Sequence, residues 1–106
     1  FPINTHKFFF LNTIFSGGGY FRIFPYFLIK KFTSNSPYIM TYFHPRDFDP
    51  KQPVINELSP LRKFKSYVGL TGCLSKLEKY LNDFDFNDLN YADSKIDWSS
   101  VRIIEV

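Results

Sequence analysis

Between Pro37 and Pro50 the chain reads Pro-Tyr-Ile-Met-Thr-Tyr-Phe-His-Pro-Arg-Asp-Phe-Asp-Pro, and no other stretch limits the possible fold as tightly. Its first half carries the β-prone side chains Tyr38, Ile39, Tyr42 and Phe43 behind a proline, which suits the first position of a strand. The second half cannot prolong that strand, because Pro45 has no amide hydrogen to donate and Asp49-Pro50 signals a turn. His44 therefore falls where a predicted strand meets a loop. In α/β proteins with parallel strands, chemistry gathers at the carboxyl ends of strands. By position alone, then, His44 is a histidine in a plausible place.

The residues before this stretch predict a helix. Phe24, Phe27, Leu28 and Lys31 recur at helical spacing from Tyr20 to Lys31, and Lys30 and Lys31 suit the C-terminal end of a helix dipole. Pro25 is tolerated if the helix begins near Phe24, and kinks it if the helix begins at Tyr20. Helix followed by strand is the alternation of an α/β fold. Upstream, Ser16-Gly17-Gly18-Gly19-Tyr20-Phe21-Arg22 admits two readings. One is a loop turning into a helix; the other is a set of backbone amides presented to an anion or a polar sugar group. Neither a phosphate loop nor a dinucleotide fingerprint is present.

At the amino end, Phe1 to Thr5 predicts a short strand, and the run Phe8 to Leu11 extends it or lines a loop. His6 has no histidine, cysteine or acidic neighbour in sequence and reads as structural or exposed. Downstream, Leu61 to Leu70 is ambiguous. A helix capped by Thr71 or Gly72 is expected to run to about Asn82, with Leu74, Leu77 and Leu81 on one face and Lys76, Glu78 and Lys79 on the other. Phe84-Asp85-Phe86 predicts a last short strand. Asn87 or Asp88 is placed to cap a helical turn through Ala92, and Ile96 to Val106 is expected to be a packed surface segment.

The 106 residues suffice for one small domain, read here as a single segment over 1–106. Aromatic residues are 14 Phe, 7 Tyr and 1 Trp, and eleven of them lie before residue 33. A chain so loaded at one end is expected either to belong to a larger barrel or to bury that end against something absent. Phe1-Pro2-Ile3 reads like the interior of a domain, so the chain is expected to be a C-terminal piece of something longer. Net charge is +3, with 6 basic against 2 acidic residues over 1–53 and 7 against 8 over 54–106. The densest cluster, Arg62-Lys63-Phe64-Lys65, reads as a solvated edge, so no nucleic-acid partner is expected. The single cysteine, Cys73, lies at a helix-period apolar position and reads as a packed thiol. The longest uncharged apolar run, Phe8 to Phe21, holds three glycines and falls short of the ~20 residues of a membrane span, so no transmembrane segment is expected.

Three stretches together resemble the C-terminal region of bacterial polysaccharide deacetylases, in the group linked to exopolysaccharide biosynthesis. They are Ser16 to Tyr26, then Tyr42 to Pro53, then Arg62 to Tyr67 leading into the Leu74 helix. The resemblance implies an α/β fold, the C-terminal portion of a deformed (β/α) barrel of NodB-like type, incomplete as an isolated chain. It implies removal of acetyl groups from an N-acetylated polysaccharide, with a divalent metal (zinc the expected ion) activating water and an Asp acting as base. A late histidine, matched by His44, protonates the leaving amine. Gly17, Gly18, Gly19, Tyr20, Arg22, Arg46 and Asp47 would then contact substrate. Where the group carries Trp-Glu after its His-Pro, this chain has Arg46-Asp47, which gives up a sugar-stacking ring and shortens the carboxylate. His6 and His44 are the only histidines, so the metal is expected from the N-terminal part of the same domain, and the chain alone to be inactive. The compartment stays open between cytoplasm and cell envelope.

Two other readings compete. A basic amphipathic Phe24–Lys31 helix could make the aromatic first third a non-catalytic module that docks onto a partner or a membrane surface. Arg46 in place of the group's Trp would also suit a purely structural segment.

Overall fold

The computed structural model describes residues 5–8 and 11–105. Strand β1 (Thr5–Phe8) pairs antiparallel with β2 (Leu11–Ile14), from Thr5 opposite Ile14 to Phe8 opposite Leu11. Of the strand expected over Phe1 to Thr5, only Thr5 lies within the described residues.

The helix expected from Tyr20 to Lys31 is two helices, α1 (Gly18–Ile23) and α2 (Tyr26–Ser34), with Phe24 ending the first and Pro25 capping the second. Proline bars its preceding residue from helical geometry, so Phe24 is extended and the chain restarts after it. The restart changes which side of α2 is buried. Ile29, Phe32 and Thr33 face inward, whereas Phe27, expected on the apolar stripe, is 68% exposed. One of the two lysines of α2 meets α4: Lys30 pairs with Asp83 at 3.2 Å, and the Tyr26 hydroxyl donates to the same carboxylate at 2.5 Å.

The strand expected over Pro37–Phe43 is extended chain that makes one bridge among the described residues, a parallel one between Tyr42 and Gly17. Gly18 N–H donates to the Tyr42 carbonyl at 3.1 Å, and the Ser16 hydroxyl donates to the Met40 carbonyl at 2.7 Å. Side-chain propensity favours extended backbone, but a ladder exists only where a neighbouring backbone answers it, and among the described residues the one bridge is at Gly17. A 3-10 turn over Pro45–Phe48 follows.

Helix α3 (Pro60–Tyr67) resolves the ambiguous stretch, with Pro60 in its first turn and no residue fully buried. Helix α4 (Leu70–Asp83) begins earlier than expected, with Gly69 at its cap position instead of Thr71 or Gly72. Gly69 holds φ +69°, and a Cβ there would come within 2.6 Å of the Arg22 carbonyl oxygen, so glycine is needed twice over. The buried face of α4 is Leu70, Cys73 and Tyr80, with Leu77 half-buried. Leu74 and Leu81, expected in the core, are each 52% exposed. Tyr80 displaces them because its ring packs on Phe21, Phe84 and Phe86 at 5.0–5.6 Å. Its hydroxyl meets Thr33 at 2.6 Å, so a residue with a polar tip fills the centre.

Phe15, Phe21, Ile29, Phe32, Cys73 and Tyr80 form the core. Phe84-Asp85-Phe86 is extended without strand pairing among the described residues. Helix α5 (Leu89–Ser94) has the expected cap, Asp88, whose carboxylate accepts from Tyr91 N–H at 2.8 Å. The tail does not pack: Trp98, Ile103 and Ile104 are all exposed. Among the described residues no helix is long and apolar enough to cross a membrane.

Candidate functional site

Two of the stretches singled out in sequence, Gly17–Arg22 and Tyr42–Asp47, lie against each other. Their closest approach is at Gly17, where a Cβ would run into the Tyr42 carbonyl, so only glycine lets these backbones bridge. Behind that bridge Phe21 meets Phe43 edge-on, with centroids 5.0 Å apart.

Deeper still, Arg22 and Asp47 form a buried ion pair whose side chains are each 5% exposed. Arg22 Nε lies 3.3 Å from Asp47 Oδ1, close enough to pair though not aligned as a hydrogen bond. The other arms of the guanidinium donate to the C-terminal end of α3, Nη1 to the Ser66 carbonyl at 2.9 Å and Nη2 to the Lys65 carbonyl at 3.3 Å. A planar fork can address three groups at fixed angles, which an ammonium cannot do. One side chain thus joins α1, the 3-10 turn and α3, the three stretches that carry the family likeness.

Asp47 also acts on His44. Its Oδ2 accepts from His44 N–H at 2.9 Å, while Asp47 N–H donates to the His44 carbonyl at 2.9 Å. His44 caps the turn and Pro45 supplies its first residue, so the backbone on both sides of the imidazole is held. The ring itself is exposed, with Tyr42 edge-on at 4.8 Å. An open groove of about 650 Å³ is lined by Tyr38 to Phe43, Phe86 to Asn90, and Ala92, and His44 is not among its lining residues.

The residues expected to touch substrate therefore separate into two groups. His44, Tyr20 and Arg46 are exposed, and Gly18 and Gly19 are half-buried. Gly17, Arg22 and Asp47 are buried; the two charged groups are turned toward each other and the surrounding backbone. The Gly18 amide, one of those expected to be presented to a ligand, is taken by Tyr42. Among the described residues, no three or more His, Cys, Asp or Glu side chains come together as a metal-holding group. The described residues do not fit a catalytic metal.

Sequence reasoning missed Lys76, which it placed on the exposed face of α4. Its ammonium turns inward and donates to the carbonyls of Phe21, Arg22 and Phe24 at 2.8–3.0 Å, closing the C-terminal end of α1. Burial draws its pKa below the usual value, with Cys73 opposing. Burial, reinforced by Asp47, pushes the Cys73 thiol up, which keeps it in the unreactive form. The one signal for Arg22 was a lone cation in an aromatic stretch, since a buried charge requires a partner.

A family model described as Domain of unknown function (DUF3473) matches residues 1–93. The chain belongs to this family. No curated protein and no solved structure matches it. The DUF3473 match takes in the Arg22–Asp47 pair, the His44 turn and the end of α3, and it stops within α5.

Proposed function

We propose that this chain is the C-terminal part of a metal-dependent polysaccharide deacetylase domain, a deformed (β/α) barrel of NodB-like type, acting on an N-acetylated sugar polymer. Two things support the reading: the likeness of the Ser16–Tyr26, Tyr42–Pro53 and Arg62–Tyr67 stretches, and the association of DUF3473, as a C-terminal domain, with polysaccharide deacetylases. The observation that carries it is the setting of His44, an exposed imidazole on a turn whose backbone is held by a buried carboxylate. A proton donor needs that combination of access and fixed position.

In this reading His44 hands a proton to the sugar nitrogen as the bond between nitrogen and the acetyl carbon breaks. Histidine suits the task because it exchanges a proton near neutral pH. The metal belongs to another part of the domain, and this chain's share is to place His44 beside the sugar. Gly18, Gly19, Tyr20 and Arg46 are the remaining expected contacts that are not buried.

The test is His44→Ala in the full-length protein, assayed on an N-acetylated oligosaccharide. Deacetylation should fall by about 10²–10⁴-fold, the span of a general acid. A near-wild-type rate would remove His44 from the reaction.

A further inference from the structure

The geometry points to Asp47, held by Arg22, as the positioning residue that sets where the His44 imidazole stands. This rests on the reading of His44 as proton donor and adds what orients it.

Among the described residues the imidazole has one ring neighbour, Tyr42, and its surface is exposed. Its position therefore depends on the His44 backbone, which Asp47 grips twice, through Oδ2 on the amide and through its own amide on the carbonyl. Asp47 is in turn confined. It is 3% exposed, and Arg22 Nε stands 3.3 Å from its other oxygen. Arg22 is tied to the Ser66 and Lys65 carbonyls, more than 40 residues away in sequence. A rigid chain of contacts therefore runs from the end of α3 through Arg22 and Asp47 to the turn bearing His44. Oδ2 is directed at the His44 amide and Oδ1 at Arg22, so the carboxylate orients the turn and does not face the imidazole.

A misplaced catalytic group can lose up to about 10²-fold in rate without any loss of substrate affinity. Steady-state deacetylation of an N-acetylated oligosaccharide by the full-length protein tests this. Asp47→Asn, isosteric but without the charge that Arg22 holds, should lower kcat by about 10- to 100-fold with KM little changed. Asp47→Glu, which restores a carboxylate, should recover most of the rate. In a His44→Ala background, Asp47→Asn should lower the rate no further, because its effect passes through His44. If Asp47→Asn does not fold, Arg22→Lys, which keeps the charge but loses the fork, is measured with the same expectation. Wild-type kcat in a folded Asp47→Asn or Arg22→Lys protein, alongside a disabled His44→Ala, would overturn the positioning role and leave His44 as the acid. An active His44→Ala would overturn both.

Discussion

Arg22 and Trp98 each have an aspartate for a partner, yet they belong to regions built on opposite terms. Arg22 reaches Asp47 and the end of α3 across 25 to 44 residues of chain, and hardly any of it meets water. Trp98 is 58% exposed, and its indole N–H donates to Asp93, five residues away. The whole tail follows that habit: Ser99 and Ser100 bond back to Asp97, and no residue from Leu89 to Glu105 is buried. Local bonds of this kind form in many chain conformations, and water replaces them readily. The Arg22–Asp47 pair exists in one conformation only, and neither charge can be left alone once it is desolvated. The difference teaches where the fold is specified: in the knot between residues 15 and 84, not in the tail.

Unfolding measurements can break or sharpen this contrast. The largest effect is expected from Arg22→Ala, which strands a buried carboxylate; denaturant unfolding should show a loss of about 3–5 kcal/mol. A loss under about 1 kcal/mol would put the pair on the same footing as exposed ones. An intermediate case is the exposed contact between α2 and α4. The Tyr26 hydroxyl first, and then Lys30, hold the Asp83 carboxyl below its usual pKa. A depressed carboxyl contributes stability above its unfolded value, about 3.9, and that contribution disappears as pH falls through the folded value. Asp83→Asn should therefore flatten the acid limb of a melting-temperature profile, and an unchanged limb would show the contact to be idle. The smallest effect belongs to Ile103→Ser in the tail, where the side chain is 88% exposed; stability should stay within about 0.5 kcal/mol. A larger loss would mean that the tail packs after all.

The features legible in the sequence were those with causes a few residues long. Asp88 caps α5 because a carboxylate three residues ahead of an amide can accept from it. The chain turns at His44-Pro45 because proline cannot continue a ladder. Cys73 is buried as expected, since a small thiol on an apolar helix position packs readily. The inward faces of α2 and α4 were read wrongly for one reason. Periodicity shows that a face exists, but partners choose it: Pro25 reset the first, and the rings around Tyr80 captured the second. Arg22 and Asp47 were picked out as important residues but given a ligand in place of each other, because nothing in either neighbourhood says that Arg22 and Asp47 meet.

The amino-acid sequence by itself determined the Asp88 cap of α5 and the break in the chain at His44-Pro45. These follow from sterics and hydrogen bonds acting within one or two turns. Only the tertiary structure decided that Arg22, Asp47 and Lys76 point inward and that Leu74, Leu81 and Phe27 point out. Burial of a charge is favourable only where distant groups arrive to satisfy it, and that arrival is a property of the assembled fold.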